Sequence, residues 1–346
     1  MRICFFGGYN PNYSRNKILI QGLILNGVEI IECRTELRGI IKYFDLIKKH
    51  WKIRKQYDVL LVAFPGWHAV VLAKFLTRKP IIFDAFVSVY DSTVFDRKNT
   101  KKRSLKAKYF WLMDWLACKL ADKVLLDTNE HIKYFVEEFG LNEGKFVRIS
   151  VGADDSVLRP IKVEDKRRKS KFIVHYHGNV IPLQGVKYIL ESAKLLKLYK
   201  DIQFNLIGSR VKRWYEKSFS GNVNFIENVP YEKLAEYISQ ADICLGIFGD
   251  TNKTQRVIPN KVYEYMACQK PIITADTPAI RELFNENDLH LIPTASPEVL
   301  AKAILKLKND SALREKLAEN AYNRFIQIAT PKILAGELIK IINKSR

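Results

Sequence analysis

Between Gly246 and Phe284 the sequence places Arg256, Lys261 and Glu264 at spacings that suit phosphate and ribose chemistry. Pro259 and Asn260 fit the first turn of a helix running to about Cys268, because proline's fixed φ is compatible with a helix start. That helix carries Lys261 near its beginning and Glu264 two turns in. A carboxylate there can accept both hydroxyls of a ribose, while Arg256 and Lys261 can neutralise phosphates. The competing reading is that both helix residues are ordinary solvated side chains.

Glycine-rich turns supply further candidates. Gly7 and Gly8 open a loop after the first apolar run, where backbone can approach a ligand and the following helix start favours anions. A second loop runs from Gly178 to Gly185, with Asn179 and Gln184 inside it, and leads into a long amphipathic helix whose start is a candidate diphosphate cradle. Gly208, Ser209 and Arg210 form a third turn, which combines glycine with a cation. Asn228 and Val229 precede another amphipathic stretch. His175 and His177 share one strand face, but no third ligand stands at suggestive spacing and the six histidines are otherwise scattered. No metal site is therefore expected.

These loops need elements to hold them. Short β-rich runs alternate with helical stretches, the pattern of parallel sheets covered on both faces. Strands are expected near Ile3 to Phe6, Val28 to Cys33, Val59 to Phe64, Pro80 to Phe86, Val124 to Asp127 and Phe146 to Val151. A second set is expected near Phe172 to His177, Phe204 to Ile207, Val223 to Glu227, Ile243 to Phe248, Pro271 to Ala275 and Leu289 to Ile292. In such sheets ligands bind beyond the carboxyl ends of the strands, where the candidate loops lie. At 346 residues the chain suits two domains. They are read as 1–160 and 170–330, with the charged run Lys162 to Lys171 as connector and a last helix, 331–346, returning to the first domain. Five scattered cysteines without a CxxC pair read as free thiols in a reducing compartment. The start MRICFFGG lacks the succession of a signal peptide, so cytoplasmic residence is expected. The uncharged stretch from Val59 to Ala73 is too short to span a bilayer, and Pro65-Gly66 breaks it.

The segment from Gly246 to Phe284 resembles the donor-binding signature of the GT4 family of retaining glycosyltransferases. The family pattern E-A-M-A-x-G-x-P-V is matched by Glu264-Tyr265-Met266-Ala267-Cys268-Gln269-Lys270-Pro271-Ile272. The Gly178 loop, the Ile207-Gly208 turn, Asn228-Val229-Pro230, Ala241-Asp242 and the helix after Pro331 follow the same order over about 170 residues. The resemblance implies an α/β, GT-B architecture: two Rossmann-like parallel-sheet domains facing a cleft, the second binding a UDP- or GDP-sugar donor as substrate, with no cofactor. It also implies a hexosyltransferase-type activity acting on a glycan or lipid-linked acceptor. Two departures stand out. Arg256 occupies the place of the first of two family glutamates, and Asn179 and Gln184 replace the phosphate-binding Arg and Lys. Arg256 and Lys261 are the cations that would make up the missing charge. Asp84 stands near where many members place a histidine beside the sugar. It would accept the acceptor's proton or orient the donor sugar; Asp91, Ser88 and Tyr90 are alternatives, and a capping or structural role is equally open. The chain lacks a DxD-type pair, so metal-independent transfer is implied. Rival readings on this architecture are a nucleotide-sugar epimerase and a catalytically silent binding homologue.

The formal charge of +20 points to anionic partners. Seven Lys/Arg fall between Arg38 and Lys55, seven between Arg97 and Lys108, and seven between Arg159 and Lys171. In Leu37 to Tyr57, Ile40, Ile41, Phe44, Ile47 and Trp51 recur at roughly helical spacing among cations. That composition suits the surface of an anionic membrane, and it equally suits a packed helix with a basic outer face. The second stretch has more core-like apolar residues. No helix-turn-helix, RRM or zinc pattern accompanies the charge, so nucleic acid is not expected as a partner. The resulting expectation is a cytoplasmic enzyme peripheral to the cytoplasmic face of the inner membrane.

Overall fold

Each half of the chain folds its apolar runs into a six-stranded parallel sheet. The structure is a computed structural model describing residues 1–161, 171–219 and 221–344. It divides into one unit of Met1–Gly152 with Thr330–Arg346 and a second of Ala153–Ala329. The connector expected over Lys162 to Lys171, with most of the third basic run, lies almost wholly outside the described residues.

In the first unit the strands are β1 (Arg2–Gly7), β2 (Glu29–Arg34), β3 (Val59–Val62), β4 (Ile81–Phe86), β5 (Lys123–Leu126) and β6 (Phe146–Arg148), ordered β2-β1-β3-β4-β5-β6. Helices α1 (Ser14–Leu25), α2 (Ile41–Ile53), α3 (Trp67–Leu76), α4 (Leu105–Leu120) and α5 (Asn129–Phe139) alternate with them. The second unit holds β7 (Phe172–His177), β8 (Ile202–Ile207), β9 (Val223–Ile226), β10 (Ile243–Leu245), β11 (Ile272–Ala275) and β12 (His290–Ile292), ordered β12-β11-β10-β7-β8-β9. Its helices are α6 (Val186–Leu195), α7 (Ser209–Tyr215), α8 (Tyr231–Ser239), α9 (Asn260–Ala267), α10 (Pro278–Arg281), α11 (Pro297–Asn309) and α12 (Ser311–Ile328). α13 (Pro331–Lys344) belongs to the first unit, where it packs on α1. Gly22 makes that contact close, since a Cβ there would run into the Pro331 carbonyl. Asn26 adds a side-chain hydrogen bond to the Lys332 carbonyl at 2.9 Å.

β3, VLLV, is buried at every position, as a strand covered by helices on both faces must be. Strand order reverses at β1, which lies between β2 and β3, and at β7, which lies between β8 and β10. These are the switch points where ligand loops gather in open α/β sheets.

The twelve strands stand in the expected order, and three end earlier than their apolar runs. After β3 the Phe64 carbonyl accepts from the Asn16 side chain at 2.7 Å. After β6 the carbonyls of Ile149 and Ser150 accept from Arg15 Nη1 at 2.6 and 2.8 Å. After β10 the chain pairs with the loop between β7 and α6: Phe248 N donates to Gln184 O and Gly249 N to Leu183 O, each at 3.2 Å. In each case a tertiary partner takes backbone groups that a longer ladder would have used.

α2 has two apolar faces. Leu46 and His50 face the core, and His50 hydrogen-bonds Tyr57 Oη at 2.7 Å. Ile40, Ile41, Phe44, Ile47 and Trp51 form an outer stripe, 37–70% exposed. On α4, Leu105, Tyr109 and Leu112 are also exposed at helical spacing, so this second basic stretch is less fully core than its composition indicates. Among the described residues, no helix is long and apolar enough to cross a membrane.

Candidate active site

Four candidate donor residues of the second unit, Gly178, Gln184, Lys261 and Glu264, converge around the exit of β7. Gln184 is the hub, because its Oε1 accepts from Tyr176 Oη at 2.9 Å and from Lys261 Nζ. Lys261 Nζ also lies 4.0 Å from the Tyr176 ring centroid, a cation–π geometry. Lys261 is buried, which corrects the reading of it as a solvated helix residue. Burial lowers its pKa from 10.5 to about 7, and Glu264 opposes the shift without cancelling it. The side chain therefore sits in the loop that lacks the expected lysine, reaching it from α9.

Glu264 is also mostly buried, and His177 Nε2 meets its Oε2 at 2.7 Å. His177 Nδ1 in turn faces His175 Nε2 at 3.1 Å, giving a His175–His177–Glu264 chain. The His177 backbone N–H donates to Tyr265 Oη at 3.3 Å, and the Tyr265 ring packs edge-on against both imidazoles. His175 is buried and its pKa is pushed well below the usual range by burial, then by His177 and Lys261, so it stays neutral. The sequence shows the two histidines on one face, but the pairing with Glu264 crosses 87 residues and has no local signal.

The glycines serve the backbone as much as any ligand. Gly185 has φ +66°, and a Cβ there would stand 2.5 Å from Gly249 N. Close packing of the two loops is what requires glycine at this position. A Cβ on Gly178 would meet Lys261 Nζ at 2.8 Å and Tyr176 Oη at 2.9 Å, so this position keeps the polar cluster open. Gly208 abuts the Gly178 carbonyl. Ser209 N donates to Asn228 Oδ1 at 2.8 Å and Asn228 N to Ser209 Oγ at 3.2 Å, which ties the exits of β8 and β9 together. Arg210 and Asn179 are exposed beside these turns, and Val229 is half-buried. Pro259 precedes α9 as its N-cap residue, one position earlier than expected, and Asn260 begins the helix without a side-chain cap. First-turn N–H groups at that end suit an anion. Arg256 is half-buried at the end of the short turn Thr254–Arg256.

Gly7, Gly8 and Asp84 belong to the first unit. Asp84 is fully buried, and Arg15 engages both its oxygens, Nε at 3.2 and 3.0 Å and Nη2 at 2.9 Å. Its carboxylate anchors the sheet to α1 and does not meet solvent, a correction to its reading as a group facing an acceptor hydroxyl. The alternatives share this character. Ser88 donates to Asp114 Oδ2 at 2.6 Å, the Tyr90 amide donates to the same oxygen at 2.9 Å, and Asp91 is buried.

The chain is similar to known proteins in both sequence and fold. Residues 159–324 match the family described as glycosyl transferases group 1. The chain is 23% identical over 294 residues to the capsular polysaccharide biosynthesis glycosyltransferase CapM of Staphylococcus aureus, covering 79% of this chain and 72% of that one. The fold is similar to that of sucrose-phosphate synthase from Thermosynechococcus elongatus, with TM-score 0.75 at 15% identity over 99% of this chain and 98% of the other. HepE of Anabaena in complex with UDP-glucose gives TM-score 0.74 at 14% identity, over 99% and 100%.

Proposed function

We propose that this chain, a glycosyltransferase of GT-B fold whose residues 159–324 carry the glycosyl transferases group 1 family, binds a UDP- or GDP-sugar on its second unit and transfers the sugar with retention to a glycan precursor. The observation that carries the reading is the convergence of Lys261, Gln184, Gly178 and Glu264 at the β7 switch point. Lys261 would charge against the diphosphate, with the uncapped start of α9 beside it, and so stabilise the departing nucleoside diphosphate without a metal. Glu264, held by His177, would accept the ribose hydroxyls. Arg256 would add positive charge. The UDP-glucose in HepE and the polysaccharide role of CapM support this choice of donor and acceptor. Neither an epimerase nor a silent binder is among the relatives named above.

A peripheral-membrane acceptor is supported by a separate observation, the exposed stripe of α2. Lys48, Lys52, Arg54 and Lys55 border it, with Arg54 stacked 3.5 Å over the Trp51 ring. An apolar stripe edged by cations matches an anionic bilayer at the cytoplasmic face in both charge and polarity.

Nucleoside diphosphate release, measured across UDP- and GDP-sugars with and without lipid-linked glycan acceptors, tests the function. Release that depends on acceptor, survives chelator and gives a product of retained anomeric configuration is expected. Chelator-sensitive turnover would refute metal independence, and an inverted linkage would refute retention.

A further inference from the structure

In the first unit a cavity of about 440 Å³ opens at the exits of β1 and β2, lined by Gly8, Tyr9, Arg34, Glu36, Arg38 and Lys42 among others. Three cations face one carboxylate there. Arg34 is held by Glu36 at 2.8 Å and Glu32 at 3.7 Å, whereas Arg38 is exposed and Lys42 rests over the Tyr43 ring at 4.9 Å. Tyr9 is 3% exposed, and its buried Oη has no hydrogen-bond partner. A buried hydroxyl without a partner carries a desolvation penalty that a ligand acceptor atom would relieve. Burial, followed by Glu32 and against Arg34, pushes the phenol's pKa up, so the group remains an O–H donor.

We propose that this cavity binds a phosphate or diphosphate monoester, the phosphorylated head of the sugar acceptor, through Arg38, Lys42 and the Tyr9 hydroxyl. The assignment of that ligand as acceptor rests on the transferase reading above; the anion site itself rests on the cavity. Its position supports the choice. The carboxyl edge of the sheet is where open α/β folds take ligands. Cations on a loop and on the first turn of α2 suit the several oxygens of a diphosphate. Lys42 belongs to the same helix as the exposed apolar stripe, so a phosphate held here would lie beside a surface suited to lipid chains.

The test is a calorimetric titration of the full chain with inorganic pyrophosphate in excess UDP, repeated with a prenyl diphosphate in neutral phosphatidylcholine vesicles. Tyr9→Phe should weaken pyrophosphate binding about tenfold while leaving the melting temperature unchanged or higher, because only an unpartnered hydroxyl is lost. The double variant Arg38→Ala, Lys42→Ala should weaken both ligands by at least about tenfold. Prenyl diphosphate binding tighter than pyrophosphate identifies a lipid carrier, equal affinity identifies a soluble phosphorylated acceptor, and both outcomes uphold the site. Wild-type chain that binds neither probe, or affinities that all variants retain, would overturn it. Failure of UDP to bind would instead remove the donor-site reading and leave the cavity measurement intact.

Discussion

Lys261 shows how one buried side chain can join binding to protonation. With its pKa lowered from 10.5 to about 7, it holds its proton in the unfolded chain and releases it in the folded one between those values. Its contribution to stability is therefore lowest below about pH 7 and rises as pH climbs toward 10.5. Around it stand Glu264, the Gln184 amide oxygen and the Tyr176 ring, and burial outweighs the support that these give the charged form. An arriving diphosphate adds negative charge and must raise the pKa. UDP binding at pH 8 should thus draw in up to about one proton, read by calorimetry in buffers of different ionisation enthalpy. Lys261→Met should abolish the uptake and weaken UDP by about tenfold or more without loss of stability at pH 7. Wild-type binding with no proton uptake would contradict the assignment.

At the scale of elements, the donor side depends on two loops that meet backbone to backbone. The exit of β10 hydrogen-bonds the loop before α6 through Phe248 and Gly249, and Gly185 lets the two approach. That pairing sets where Gln184 stands and hence where Lys261 reaches. Gly185→Ala combines a left-handed φ with a clash against backbone, two penalties that together should cost about 2–4 kcal/mol. Thermal melts report this directly, and an unchanged midpoint would show that the loops can part freely. Asp84 makes the complementary point in the first sheet. A carboxylate at a strand's carboxyl end has the address of a catalytic group, yet Arg15 on α1 takes its oxygens.

For the whole molecule the question is what a formal charge of +20 attracts. The α2 stripe gives part of that charge a geometry: cations edge large apolar side chains that fold packing does not use. Lys49 is already paired with Asp45 at 2.7 Å, so Lys48, Lys52 and Lys55 are the better probes. Reversing all three to Glu should weaken binding to phosphatidylglycerol vesicles by at least about a hundredfold, since each cation contributes about 1 kcal/mol. Donor binding should be unaffected. Wild-type binding should also fall steeply with salt, and a chain that ignores anionic vesicles at low salt would rule the membrane surface out.

The sequence by itself determined the two six-stranded parallel sheets, their element order, and the glutamate and lysine of α9 as the residues to watch. Those features follow from periodicity and from short motifs, which are local properties of the chain. What only the tertiary structure decided is which groups share an environment. His177 on Glu264, Lys261 on Gln184 and Arg15 on Asp84 join residues 69 to 87 positions apart. No spacing rule reaches that far, because sheet order and loop packing set the neighbours. The burial that lowers the Lys261 pKa and closes off Asp84 likewise exists only once the helices have covered the sheets.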